Sequence, residues 1–564
     1  MSEQKSCQQC KAKFVIDDQT IEFLDKISPT FNGKKFDIPT NEFCEECRHI
    51  RRMAWRNETH LYKRKCALCS KEILSMYRPD SEHIVYCLQC WWSDKWSAKK
   101  YALEYNPNRT FIDQFNELNL KVPHPGLTVT NSQNCDYCSN TVDSKNCYMC
   151  FSTRGEDCMY GRKMVDCRDT VDSLFASNCE NCYEMVFSDN CYGCKYIHES
   201  RGCRDSSFLY DCADCHDCFM CSNLRGKGFV FRNKQLTEEE YMKLLKSVWD
   251  GSREKTDNLY EEFVELIGKS IHRENRNHKC ENCTGDHLTN CKNCKECFEL
   301  LQGEDSLRVY DSMGDPSADN IDCDHNPGGQ LDYECSSSYP IFGCAFCLLV
   351  YNGRNSYYSI NCFNNCDSLF GCIGLKHAKY SILNKEYTPK EYEKIVAQVI
   401  ESMRQDGDWG KFFPPKICPY NYNESVAHDY WPKSKKIAES FGFSWQEKDF
   451  SANFNGEFYR PNDKISDYED ENLRKILLDS VLQCKRSKKP FKISPQELAF
   501  YLKNNIPIPT ITYFERHKER MKFRNPRKLF DRKCDNCTKA IRTSYSPDRP
   551  EKIYCEKCYQ QEII

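Results

Sequence analysis

Three features set the fold class: Cys-x-x-Cys pairs spread through a chain with 41 cysteines, a duplication joining its two ends, and a second duplication in its middle. Together they predict a multidomain α+β and β protein. Treble-clef zinc ribbons at both ends flank two copies of a cysteine-rich β-solenoid-like domain, each copy closed by a helix.

The bulk numbers narrow the class. A chain of 564 residues exceeds one ordinary core, so three to five domains are expected. With 40% hydrophobic and 29% charged residues the composition is neither that of a disordered chain nor that of a membrane-embedded one. No run approaches the roughly 18 apolar residues a spanning helix needs. The polar opening Met1 to Cys7 does not read as a signal peptide. An odd cysteine count and Cys-x-x-Cys spacing favour thiolate–metal sites in a reducing, cytoplasmic setting over a disulfide framework. The net charge of −3 hides an asymmetry. From Cys44 to Cys66 there are seven Lys/Arg against three acids, and from Arg516 to Lys533 nine against two. The stretch Cys135 to Cys221 has eight against fifteen.

The first duplication pairs residues 64–90 with 532–558, identical at 12 of 27 positions, and the gap from Cys69 to Cys87 equals that from Cys537 to Cys555. The same offset reaches back to residue 44, so Arg48, Arg52 and Arg56 fall on Arg516, Arg520 and Arg524. The N-terminal copy opens with Cys7, Cys10, Cys44 and Cys47, whereas the C-terminal copy has Cys484, Ser487, Thr512 and Glu515. One thiolate of four survives there, and no metal is expected.

The second duplication sets the segment from Cys221 onward over the segment from Cys372 onward. Thr237 with Glu240, and Thr388 with Glu391, read as capping boxes that open a helix, with Pro389 in its first position. Upstream of each lies a cysteine-rich array, 135–221 and 280–372. In the first array Asn/Asp-Cys dipeptides recur at short intervals, which suggests coils of about 20–24 residues with cysteines stacked inside. Residues 315–327 look like an insertion loop in the second array. The expected layout is a double ribbon at 1–105, solenoid copies at 125–250 and 255–403, an aromatic wrap at 404–450, a linker and helix at 451–483, and a C-terminal double-ribbon module at 484–564.

Four thiolates from two Cys-x-x-Cys knuckles close a tetrahedron around zinc and leave no open position for catalysis. The expected ligand sets are Cys7, Cys10, Cys44 and Cys47; Cys66, Cys69, Cys87 and Cys90; and Cys534, Cys537, Cys555 and Cys558. Three structural Zn2+ ions follow, each able to contribute on the order of 10–16 kcal/mol to folding. The competing reading is redox-active or free thiols. For the central cysteines, a buried thiol ladder competes with further metal at Cys280, Cys283, Cys291 and Cys294, or at Cys179, Cys182, Cys191 and Cys194.

Arg48, Arg52 and Arg56 share one face of the helix that the second knuckle opens. Their counterparts Arg516, Arg520 and Arg524 persist where the zinc ligands are lost, joined by Lys528. These residues are the candidate nucleic-acid contacts, with RNA the more natural target. The competing reading is a solvated face, or one docked on the acidic array.

Residues 7–52, with two Cys-x-x-Cys pairs and a Cys-Arg-His ending, resemble the zinc-ribbon/treble-clef domain family. The link at 56–66, the WWSDKW segment at 91–96, the two Asn-Lys-x-(Leu/Tyr)-Thr-x-x-Glu-Tyr repeats and the run at 412–425 extend the likeness over most of the chain. They resemble the long multi-zinc-ribbon, cysteine-rich proteins of ultra-small candidate-phylum bacteria. That resemblance implies zinc-ribbon folds but no activity.

The expected function is a non-enzymatic zinc-binding scaffold whose basic ribbon faces bind RNA or a ribonucleoprotein. The alternatives are a protein–protein scaffold without nucleic acid and a metal-storage protein. No phosphate-cradling loop, nucleophile constellation or small-molecule site is evident, and no membrane partner is expected. His198, His216 and His287 lie near cysteines without an ordered motif.

Overall fold

The structure is a computed structural model that describes residues 2–312, 316–448 and 454–563. The chain divides into two compact units that do not follow sequence order. The first comprises Met1–Leu127, Asn275–Lys448 and Arg527–Leu529, and the second Thr128–Glu274, Asp449–Pro526 and Phe530–Ile564. The N-terminal ribbon module therefore folds with the second cysteine-rich array, and the C-terminal module with the first.

Each array winds into a stack of parallel rungs. Arg162 pairs with Leu174, Leu174 with Val186, Tyr183 with Lys195, Lys195 with Ser207 and Ser207 with Phe219, at one constant step of twelve positions. The second array repeats the step at Tyr339–Tyr351 and Asp367–Lys379. The rung is thus about half the length expected from the sequence. The reason lies in the backbone. Asn178, Asn181, Glu184, Phe187 and Asn190 have φ of 49°, 54°, 55°, 48° and 54°, so a left-handed corner falls at every third residue. Sides of three residues close a rung in four turns.

Left-handed backbone costs most L-residues roughly 1–2 kcal/mol, and Asn and Asp bear it best. This explains the Asn/Asp-Cys dipeptides: the first residue turns a corner and the second points inward. Cys179, Cys182, Cys191 and Cys194 are all 2% exposed or less. The interior leaves room for small side chains that can donate to nearby carbonyls. The Cys182 thiol points at the carbonyls of Glu180 (3.2 Å) and Cys191 (3.5 Å). Thr170 donates in the same manner to Arg168 (3.0 Å) and Cys179 (3.1 Å). In the arrays, Cys-x-x-Cys marks two adjacent sides of one rung, and the thiols form a buried ladder.

Of the expected insertion loop at 315–327, Asp315 lies outside the described residues. The described remainder stays in the ladder, with Ile321 opposite Tyr333 and Asp324 opposite Ser336. The step from Leu307 to Ile321 is two positions longer than the regular one.

Each stack ends in an antiparallel hairpin, Gly228–Phe231 with Lys234–Gln235 and Lys379–Ile382 with Lys385–Glu386. A helix follows, Glu238–Val248 or Pro389–Asp406, and both capping boxes are formed. In the 404–450 segment Phe412 and Phe413 are buried against Trp55, while Asp449 and Phe450 lie outside the described residues. Of the expected linker, Ser451 to Asn453 lie outside them too, and the helix there is Glu471–Asp479. Among the described residues no helix is long and apolar enough to cross a membrane.

The exposed corner Asn178 tests this account. Asn178→Val should destabilise the second unit by about 1–2 kcal/mol, because a β-branched residue is placed in left-handed backbone, while Asn178→Gly should be near neutral. Thermal unfolding of the two variants compares them directly.

Candidate metal centres

In three places the fold gathers four cysteines. Cys7, Cys10, Cys44 and Cys47 form one set, Cys66, Cys69, Cys87 and Cys90 another, and Cys534, Cys537, Cys555 and Cys558 the third. Within each set all sulfurs lie within 4.8 Å of one another. The Sγ–Sγ separation is 3.6 Å for Cys10–Cys44, 3.9 Å for Cys69–Cys87 and 3.7 Å for Cys537–Cys555. A tetrahedron with Zn–S bonds near 2.3 Å has edges of about 3.8 Å, whereas a disulfide needs about 2.05 Å. The donor sets fit zinc.

Backbone N–H groups already point at the sulfurs. Cys87 N donates to Cys66 Sγ and Cys555 N to Cys534 Sγ, both at 3.2 Å, and Cys10 N to Cys7 Sγ at 3.5 Å. Burial pushes the Cys66 and Cys534 thiols up, but the N–H donors of each knuckle outweigh it and bring both down to about 6. Cys44 is lowered to about 6 chiefly by the Cys47 thiol. Other thiols of the sets are pushed up to about 12, Cys90 by burial and the neighbouring sulfurs and Cys558 by the neighbouring sulfurs and burial, so metal binding would have to displace their protons.

The two ends correspond element by element. The hairpin register Tyr62–Ser75 to Lys65–Glu72 recurs as Phe530–Thr543 to Lys533–Ala540. The helix Glu45–Ala54 recurs as Tyr513–Lys522, and Asp18–Ile27 as Pro495–Asn504. The fourth ribbon keeps these helices without a four-thiol set. Cys44 opens its helix with no side-chain cap, but Thr512, in its place, accepts a hydrogen bond from Glu515 N at 3.4 Å. Cys484 is fully buried and takes N–H donors from Ser487 and Thr512, both at 3.4 Å.

The further candidates Cys280, Cys283, Cys291 and Cys294 are not gathered within the same limit, nor are Cys179, Cys182, Cys191 and Cys194. Cys280 and Cys283 sit half-exposed on the first rung of the second stack, with Cys291 and Cys294 buried on the next.

The arginines expected to form a solvent-facing ridge are instead buried. Arg48, Arg52 and Arg56 are 4%, 0% and 5% exposed, and Arg516 and Arg520 are 6% and 1%. Four of them face carboxylates of the coil stack in their own unit. Arg48 meets Asp322 at 2.8 Å and Glu334 at 3.7 Å, and Arg52 pairs with Asp324 and, at 3.8 Å, with Glu334. Arg56 pairs with Glu58. In the second unit Arg516 meets Asp172 at 2.9 Å, and Arg520 meets Asp172 at 3.1 Å and Glu184 at 2.8 Å. Asp322 and Glu334 stand at one common offset from Asp172 and Glu184, so Arg48 and Arg516 hold equivalent acids, as do Arg52 and Arg520 at Glu334 and Glu184, whereas Asp324 falls on Leu174 and has no acidic counterpart. Arg48 also donates to Phe43 O at 2.7 Å, and its counterpart Arg516 to Ile511 O at 3.0 Å. Of the remaining candidates, Arg524 is half-buried and Lys528 exposed.

Burial pushes Asp322 up, but Arg308, Arg48 and Arg52 outweigh it and hold the carboxyl below its usual range. Glu334 and Glu184 are pushed up to about 7 by burial, against the pull of the arginines beside them. In the first unit Asp322 and Asp324 are thus held below the usual carboxylate range beside the guanidinium pair, whereas burial raises Glu334.

A second clamp was not anticipated from the sequence. Trp91, which follows the last ligand of its ribbon, is 0% exposed and lies 5.5 Å from the Lys376 ammonium, which also faces Trp92 at 4.7 Å and Trp96 at 5.6 Å. Its counterpart Tyr559 lies 5.9 Å from the Arg225 guanidinium. Lys376 and Arg225 are related by the offset of the second duplication. A cation retained at that offset was the available signal.

No protein-family model matches the sequence, and neither does any curated protein. Among solved structures, one match is a chain described as a putative acetyltransferase from Desulfovibrio desulfuricans G20. It is 7% identical, with 51% of this chain and 79% of that one covered, at a TM-score of 0.09. A likeness at that level carries no argument.

Elemental analysis should find three zinc ions per chain, and Cys537→Ser should remove about one of them while the other two remain. Arg520→Met leaves Asp172 buried beside one fewer cation, so unfolding of the second unit should become easier by about 3–5 kcal/mol. Calorimetry should show part of that loss recovered in the double variant with Asp172→Asn. A solvated arginine would instead give a change within about 0.5 kcal/mol.

Proposed function

We propose that the protein is a non-enzymatic, zinc-stabilised β-solenoid scaffold that holds a protein partner. One observation carries this reading: most of the arginines that would have met RNA are buried in ion pairs within each unit. What they do is fasten a ribbon helix to a coil stack. The three cysteine sets have the closed geometry of structural metal sites, which supports a role in shape rather than chemistry. Stacked repeats are an architecture that proteins use for extended binding surfaces.

RNA or ribonucleoprotein binding at the C-terminal module would use its exposed cations, which include Lys485, Lys518, Lys522, Lys528 and Lys533. Lys518 and Lys522 are exposed but already bridge Glu515 and Glu519 at 2.8 Å. Zinc-loaded protein mixed with a defined structured RNA should show no saturable complex at moderate salt, and material purified from its native cell after nuclease treatment should retain its protein partner. A tight complex with RNA that weakens steeply with salt and is lost in the triple variant Lys518→Glu, Lys522→Glu, Lys528→Glu would reverse this assignment.

A further inference from the structure

One segment of the first unit comes from far away in the chain. Arg527–Leu529 belongs to that unit, although Pro526 before it and Phe530 after it belong to the second. Its arginine enters a place made by three separate parts of the first unit. The coil stack contributes Glu299 from Cys297–Leu301, and Tyr310 and Asp311 from Tyr310–Ser312. The ribbon helix Glu45–Ala54 contributes His49, and the short helix Val426–Tyr430 contributes Tyr430.

The place is shaped for a guanidinium. Arg527 Nε donates to Glu299 Oε2 at 2.8 Å, and Nη2 lies 4.0 Å from Asp311 Oδ2. Nη1 lies 3.2 Å from His49 Nε2. The Arg527 Cζ lies over the Tyr430 ring at 4.6 Å and the Tyr310 ring at 5.6 Å. The Arg527 side chain is 1% exposed, and Glu299 and Asp311 are buried with it. A cation so far from water needs acids at its edge, and ring faces suit a planar, weakly hydrated guanidinium better than an ammonium. Glu299 and Asp311 are left-handed corners, with φ of 50° and 60°, one regular step apart along the stack. The repeat itself therefore spaces the two acids.

The second unit fills the equivalent place from within. His517 is the counterpart of His49, and Nη1 of Arg162, from the stack of the same unit, lies 3.1 Å from His517 Nε2. Arg162 stands opposite Leu174 as Tyr310 stands opposite Asp324. Leu174 and Asp324 are related by the offset that relates Asp172 to Asp322. Tyr310 and Asp311 thus take the places of Arg162 and Lys163, both buried. Where the second unit's stack carries two cations, the first unit's carries a ring and an acid, and residue 527 brings the cation beside the histidine.

We infer that the first unit contains an arginine-recognition site, formed by Glu299, Asp311, His49, Tyr310 and Tyr430, with Arg527 as its ligand in cis. Arg527–Leu529 is a latch: a residue from the C-terminal part of the chain completes the unit built from the N-terminal module and the second array.

The test follows amide hydrogen exchange of intact zinc-loaded protein by mass spectrometry. Arg527→Ala should speed exchange in 297–312 roughly tenfold or more and leave 207–222 unchanged. N-acetyl-arginine amide should restore protection of 297–312 saturably, whereas N-acetyl-lysine amide at the same concentration should not. The parent protein, its site filled, should respond to neither. Circular dichroism verifies that the variant is folded. If it is not, Glu299→Gln, which keeps the shape and removes one charge, should speed exchange in the same segment, and failure to do so overturns the inference. Unchanged exchange in Arg527→Ala, absence of rescue, or equal rescue by the lysine amide overturns it too. So does rescue that persists undiminished when Glu299→Gln is added to Arg527→Ala, because the arginine amide would then act elsewhere.

Discussion

Two guanidinium groups buried against carboxylates hold each unit together. Arg48 and Arg52 in one unit, and Arg516 and Arg520 in the other, lie on one face of a ribbon helix and reach acids that the coil stack presents. Two such charges removed from water are tolerable only when paired in good geometry, and removing one partner strands the other. The constraint therefore acts on four positions at once: the helix must deliver arginines at i and i+4, and the stack must deliver acids in adjacent rungs. Asp172 and Glu184, like Asp322 and Glu334, are separated by one rung. The helix pitch and the rung spacing meet at that pair of residues.

This constraint explains how the fourth ribbon folds without a four-thiol set. A metal held by four cysteines would fix a ribbon from within, and the arginine pair fixes it from outside against the stack. Where three ligands became Ser487, Thr512 and Glu515, the outer attachment remained and Thr512 took over the capping of the helix. The buried body of that ribbon, including Tyr501, Ile506 and Ile508, supplies apolar packing in place of coordination. The retention of arginines where cysteines were lost is thus a structural signature. At the sequence level it looks the same as selection for an external ligand, because a row of arginines on one helix face fits either.

The coil stacks show how one spacing can carry two meanings. In the ribbons, Cys-x-x-Cys places two sulfurs on one knuckle around a shared point. In the stacks it places them on consecutive three-residue sides, both inward but spread along the wall. The local sequence distinguishes the two weakly. Asn or Asp directly before the first cysteine marks a corner, as at Asn178 and Asn190, while the six ribbon pairs are preceded by Ser6, Phe43, Lys65, Tyr86, Lys533 and Tyr554. The period of the dipeptide was legible; the rung length was not, because it depends on a backbone conformation at every third residue that Glu184 and Phe187 adopt here as Asn181 does.

By itself the sequence determined the three four-cysteine sets, the lost fourth site, both duplications and the capped closing helices. Each is a matter of spacing or of residue types whose chemistry is local. Only the tertiary structure decided which ribbon module joins which array, since both arrays carry acids and both modules carry arginines, and nothing in a linear order says that the first module should pass over the nearer array for the farther one. It likewise decided that the arginines face inward, because burial belongs to the surface brought opposite a residue and not to the residue itself.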